Sequence, residues 1–172
     1  ADMTAHPKLA ALAARCAGLP PLPTAVVHPC DGPSLEGAMQ AAGAGLIAPV
    51  LVGPPARIHA AAAAARLDIS AVPLIETPHS HASAERAVAL VREGGAAALM
   101  KGSLHTDELM GAVVAKEGGL RTGRRLSHVF VMDVPTYAKL LLITDAAVNI
   151  LPSLEDKADI VANAIGLAQA LG

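Results

Sequence analysis

A chain of 172 residues amounts to one domain, or to one domain with part of a second. It is 53% hydrophobic yet holds one Phe, one Tyr and no Trp, so its core has to be built from Ala, Val, Leu and Ile in closely packed layers. A net charge of −2 and a pI near 6.4 argue against nucleic acid as a bulk partner, and the longest apolar stretch, Ala41 to Ala56, is broken by prolines and glycines well short of the roughly 20 residues of a membrane span.

Residues 4 to 17 carry the pattern of an amphipathic lead-in helix, with Leu9, Leu12 and Ala13 on its apolar face. His6, Lys8 and Arg15 run through it, which is unlike a signal peptide. Pro20, Pro21 and Pro23 end it in a stiff connector. Thr24 to His28 is the first strand, and Ser34 is placed to cap a helix running to about Ala42. Leu46 to Val52 is a second strand, in which Pro49 suggests an edge or a bulge. A helix follows from Ala56 to Leu67, then a strand over Ala71 to Glu76 and a helix from Ser83 to Glu93 that stops at Gly94-Gly95. Ala96 to Met100 is the fourth strand. Thr106 can cap the next helix, which runs to about Lys116, with Asp107 and Glu108 in its first turn. His128 to Asp133 and Leu140 to Thr144 read as further strands. A last helix, Leu154 to Leu171, opens on Ser153 and Asp156 and presents Leu154, Ala158, Val161, Ile165 and Ala168 as a stripe.

Strands that are apolar on both faces and alternate with helices predict an α/β fold, a mostly parallel sheet covered by helices on both faces. The domain organisation expected is a lead-in helix and connector over 1–23, the α/β domain over 24–152, and a connecting helix over 153–172 leading towards a second domain. Ligands of such sheets sit outside the carboxyl ends of the strands. There the turn Lys101-Gly102-Ser103 opens into a helix, so backbone amides and a lysine charge could receive a phosphate or carboxylate, with His105 beside them. An ordinary strand-to-helix connection with an exposed lysine accounts for the same residues.

The glycine-rich run Gly118 to Arg125 lacks the Lys-Ser/Thr of a triphosphate loop and follows a helix, so that assignment fails. Its Arg121, Arg124 and Arg125 could still grip phosphate bidentately, or lie in a solvated loop. Asp145 and Asn149 are spaced to share one face of a turn, where they could orient a substrate or cap a segment, and Ser127 is a comparable candidate. His79 and His81 lack the third ligand a zinc site needs and read as loop residues, so no metal is expected. Cys16 and Cys30, with no disulfide or metal spacing, fit a reducing cytoplasm, and Cys30 reads as structural. No Gly-x-Gly-x-x-Gly fingerprint follows any strand, which weakens a dehydrogenase assignment.

Three runs carry a resemblance: Lys101-Gly102-Ser103-Leu104-His105-Thr106, then Arg124 to Met132, then Thr144-Asp145-Ala146-Ala147-Val148-Asn149-Ile150 with Pro152 and Lys157 beyond. Together they resemble the phosphate acetyl/butyryl transferase family, nearest to the transferase part of bifunctional enoyl-CoA hydratase/phosphate acetyltransferases. The resemblance covers nearly the whole chain from Pro23 onward. It implies acyl transfer between coenzyme A and phosphate, with acyl-CoA and phosphate as substrates and no cofactor. It also implies a two-domain fold like that of the isocitrate and isopropylmalate dehydrogenases, usually as a homodimer. The Ser, Arg and Asp that the family uses for chemistry lie in a later part with no match here. What carries over is Lys101, Gly102, Ser103, His105, Thr106, Ser127, Asp145 and Asn149 towards substrate and phosphate, with Arg121, Arg124 and Arg125 as candidates for coenzyme A phosphates. The alternative is a non-catalytic α/β module that binds phosphate or coenzyme A.

Overall fold

Strands of Val, Leu and Ala with no polar face have to be covered on both sides, and the larger of two compact units meets that demand. The structure, a computed structural model, describes residues 6–172. One unit is Leu19–Arg121, and the other joins the chain up to Gly18 with Thr122–Gly172.

In the Leu19–Arg121 unit, β1 (Leu22–Val27), β2 (Ile47–Gly53), β3 (Leu74–Glu76) and β4 (Ala98–Lys101) form one parallel sheet in the order β3-β2-β1-β4. Alternate residues of β1 serve opposite faces. Ala25 and Val27 pack with Val52 against Ala84 and Ala87 of α4 (Ser80–Arg92) and Leu109 of α5 (Thr106–Val113). Val26 packs with Leu51 against Leu35 and Ala38 of α2 (Gly32–Gly43) and Ile58, Ala61 and Ala62 of α3 (Pro55–Ala65). The alanines on the helix faces bring the layers close, as the near-absence of aromatic residues requires. Val26, Val27, Leu35, Leu51, Val52 and Ile58 are fully buried, and each contributes about 1.5–3 kcal/mol.

Pro49 does not mark an edge, because β2 lies between β1 and β3. The Leu51 amide donates to Pro73 O of the β3 segment. Pro49, two residues earlier, turns its missing N–H to the same side, below the point where β3 joins at Leu51. The ladder therefore loses nothing to it.

The other unit holds α1 (Pro7–Arg15), β5 (Phe130–Met132), β6 (Leu141–Ile143) and α6 (Leu154–Leu171). The expected lead-in helix is shorter, and its residues 4 and 5 lie outside the described chain. The Lys8 ammonium pairs with Asp133 at 2.6 Å, and that carboxylate also accepts the Lys8 amide at the helix start. The fifth and sixth strands do not extend the parallel sheet. They pair antiparallel with each other as a two-stranded ribbon. The connection from Met132 to Leu141 is too short for a parallel crossover, which takes a dozen residues or more. The compact unit that holds the parallel sheet ends at Arg121.

The apolar stripe of α6 faces outward. Leu154, Val161 and Ile165 are exposed, and the buried residue is Ile160. Asn163 and Leu167 lie on its side at helical spacing, so the inward face is polar at its centre and escapes a search for apolar periodicity.

Candidate functional site

In the parallel sheet α2 and α3 cover one face and α4 and α5 the other, so the connections after β1 and β4 depart in opposite directions. That switch point is where α/β sheets open a crevice for ligands. Here it is formed by the turns His28–Asp31 and Lys101–His105.

The β4 turn is tied to the β1 turn. The Gly102 amide donates to Val27 O at 2.9 Å and the Ser103 amide to His28 O at 3.0 Å. The Ser103 hydroxyl donates to the same carbonyl at 2.9 Å and accepts the Cys30 amide at 3.0 Å. A methyl group on Gly102 would stand 2.8 Å from His28 O, so only glycine fits against that backbone. The Lys101 ammonium folds back to donate to Leu104 O at 2.8 Å and Gly102 O at 3.3 Å. An ammonium has three hydrogens, which leaves one to face outward from an exposed side chain.

This changes the notch expected from the sequence. Gly102 and Ser103 spend their amides on the β1 turn, so the donors a ligand could meet are those of the first turn of α5, which have no acceptor within the helix. Thr106 is not the cap. His105 holds that position and Thr106 is the first helical residue, because Glu108 reaches back to accept the His105 amide at 2.9 Å. Glu108 also accepts the Ser80 hydroxyl at 2.7 Å and pairs with His81 at 3.0 Å. The Ser80 bond, then the His105 amide, hold its carboxyl below the usual range. His81 is thereby given a partner, and His79 caps α4 by accepting the Ala82 amide at 3.2 Å. The α2 cap is likewise Asp31, which accepts the amide of Ser34 at 3.0 Å. A groove of about 530 Å³ between α4 and α5 is lined by Glu85, Asp107, Glu108 and Glu117 together with Arg92 and His81.

Beneath the two turns lies a polar cluster that sequence reasoning missed. His28 is buried, with a left-handed φ of 55°. Its Nδ1 lies 3.0 Å from Ser83 Oγ, which is 2.8 Å from Thr77 Oγ1 and donates to His79 O at 2.9 Å. The Arg57 guanidinium stands 3.4 Å from His28 Nε2. Burial first, and then Arg57, push the imidazole below its ordinary value. Burial also raises the Cys30 thiol, against the pull of Arg57.

In the second unit Asp145 organises the remaining candidates. Its carboxylate accepts the His128 amide at 2.9 Å, the Asn149 amide at 2.7 Å and the Asn149 side-chain NH₂. Burial opposes its ionisation, but these bonds outweigh burial and bring the pKa to about 2. Asn149 in turn accepts from Arg125 Nε at 2.7 Å and donates to Leu126 O at 2.9 Å. The Arg125 guanidinium also faces Asp156 at 3.6 Å. Ser127 Oγ accepts from Asn163, which also takes a bond from Arg124 at 3.4 Å. A groove of about 600 Å³ runs along Thr122, Arg124, Arg125, Ser127 and Asn163. Ser127, Asp145, Asn149 and Arg125 thus form one connected network, reached by Arg124 through Asn163. Arg121 falls in the other unit, exposed at its end.

Residues 80–172 match the model of a protein family described as phosphate acetyl/butaryl transferase. The chain belongs to this family. It is 59% identical over 152 residues to a phosphate acetyltransferase of Rhizobium meliloti, covering 88% of this chain and 48% of that protein. It is 37% identical over 161 residues to a phosphate butyryltransferase of Clostridium beijerinckii, covering 94% of this chain and 53% of that protein. Among solved structures it resembles a branched-chain phosphotransacylase from Enterococcus faecalis V583, with 25% identity, a TM-score of 0.69, and coverage of 88% of this chain and 52% of that one. A phosphotransacetylase from Streptococcus pyogenes shares the fold, at 16% identity and a TM-score of 0.78 over 96% of this chain and 58% of that one. The chain therefore spans about half the length of the phosphate acetyl/butyryl transferases it matches. The region matched by the family model contains Lys101 to Thr106, Ser127, Asp145 and Asn149, whereas His28 lies before it.

Proposed function

We propose that the protein is a phosphate acyltransferase: acetyl-CoA and inorganic phosphate give acetyl phosphate and free coenzyme A. The observation that carries this is the 59% identity to a phosphate acetyltransferase over 152 residues. In the direction of thioester formation the thiolate of coenzyme A attacks the acyl carbon, the acyl–oxygen bond breaks, and phosphate leaves with its electron pair.

Lys101 and the first turn of α5, with Ser103, His105 and Thr106, are the seat assigned to phosphate, through a lysine hydrogen left over from the turn and amides that the helix cannot satisfy. Gly102 lets that turn lie against β1. Arg121, Arg124 and Arg125 are assigned to the phosphates of coenzyme A. Ser127 and Asn149 are assigned to orienting substrate. Asp145, ionised down to about pH 2 with its oxygens accepting N–H bonds, is given a holding role rather than that of a general base.

The two-domain arrangement, a homodimer and cytoplasmic residence belong to the same proposal. The division of the chain into two units supports the first of these, and among the described residues no helix is long and apolar enough to cross a membrane. The narrower likeness to bifunctional enoyl-CoA hydratase/phosphate acetyltransferases also remains part of it. The test is an assay of the whole protein with acetyl phosphate and coenzyme A, following the thioester. Enzyme-dependent thioester formation is expected, with the KM for acetyl phosphate rising about tenfold in Lys101→Ala for the loss of one charged contact. No thioester formation by the whole protein would contradict the assignment, and phosphate binding without turnover would favour a non-catalytic module.

A further inference from the structure

The backbone and side chain of His28 join several elements at the carboxyl end of the parallel sheet. Its amide donates to Val52 O of β2 at 2.7 Å, and its carbonyl accepts both the amide and the hydroxyl of Ser103 after β4. The end of β2 presses on it as well, since a methyl group on Gly53 would stand 3.4 Å from His28 Cα. Its side chain reaches α4 through Ser83 and, through Ser83, Thr77 after β3.

The hydrogen-bond partners fix the tautomer. The Arg57 guanidinium beside Nε2 can only donate, so Nδ1 carries the ring hydrogen and gives it to Ser83 Oγ, whose own hydrogen has His79 O or Thr77 Oγ1 as acceptor. Nε2 is left as an acceptor facing Arg57. A non-glycine residue at a φ of 55° persists only where its surroundings hold it. Here the Nδ1–H bond to a buried serine supplies that hold. The carbonyl that receives Ser103 points where it does because His28 is left-handed and its ring is pinned.

We propose that His28 is a positioning residue for the phosphate seat: the bond from Nδ1–H to Ser83 fixes the residue so that its carbonyl holds Ser103 and, with it, the Lys101–Thr106 turn. This rests on the transferase assignment for its functional consequence, but not for its structural one. His28 touches no substrate in this scheme and acts only through Ser103.

The test uses the whole protein with three variants. His28→Ala removes the donor and Ser83→Ala the acceptor. His28→Asn restores an N–H donor close to the ring's Nδ1 with a residue that tolerates left-handed backbone. The Gly102 and Ser103 amide resonances should move in both alanine variants and return towards wild type in His28→Asn. The KM for acetyl phosphate should rise about tenfold in both alanine variants, with kcat changing less, and fall back to within about threefold of wild type in His28→Asn. Should His28→Ala fail to fold, Ser83→Ala decides alone, since it leaves the histidine in place. Unmoved Gly102 and Ser103 resonances in folded Ser83→Ala would overturn the proposal, as would an unchanged KM in an active enzyme. If the whole protein makes no thioester, the transferase assignment fails while the amide resonances still decide whether His28 sets the turn.

Discussion

Gly102 shows how a single residue carries a fold-level demand. The turn after β4 hydrogen-bonds directly onto the backbone after β1, and a side chain at 102 would collide with His28 O at 2.8 Å. Backbone cannot give way as a flexible side chain can, so Gly102→Ala is expected to destabilise the chain by about 1–3 kcal/mol in urea unfolding. A change below about 0.5 kcal/mol would show that the two turns are not in contact. The sequence displays the glycine and the lysine plainly, but it does not display what the amides of Gly102 and Ser103 are spent on. Those acceptors, Val27 O and His28 O, come from a strand more than 70 residues earlier. The same holds for His28 and Ser83, 55 residues apart, whose pairing leaves no local pattern. Asp145 and Asn149 are the opposite case. Their bonds span four residues and were open to a spacing argument.

At the scale of elements, the parallel strands and their helices were legible because their apolar runs and glycine stops are local features. Caps were misplaced by one to three residues, as with Asp31, which accepts the Ser34 amide, in place of Ser34, and His105, whose amide Glu108 accepts, in place of Thr106. The ribbon of β5 and β6 looked like two more strands of the main sheet, since periodicity reports extended chain but not its partner. For α6 the apolar stripe identified the outward face. Ile160 is 5% exposed and Ile165 52%. Ile160→Ala should therefore cost about 2–5 kcal/mol in thermal or urea unfolding of the 172-residue chain, and Ile165→Ala less than about 1 kcal/mol. Equal costs would contradict this orientation of the helix.

For the molecule as a whole, the doubly covered sheet places its ligand crevice at the carboxyl ends of β1 and β4. The family resemblance found in the three sequence runs is supported by the family match, which covers all three. The division of the chain at Arg121 was not legible, since the loop from Gly118 to Arg125 has the same composition whether it links strands of one sheet or two separate units. The central claim is that the turn from Lys101 into α5 is a seat for phosphate. Titrating inorganic phosphate into this chain and its Lys101→Ala variant, read by amide NMR, tests it most directly. Saturable shifts confined to Lys101–Asp107 in the wild type, and lost in the variant, are the predicted result. Absent shifts, or shifts identical in the two proteins, would contradict it.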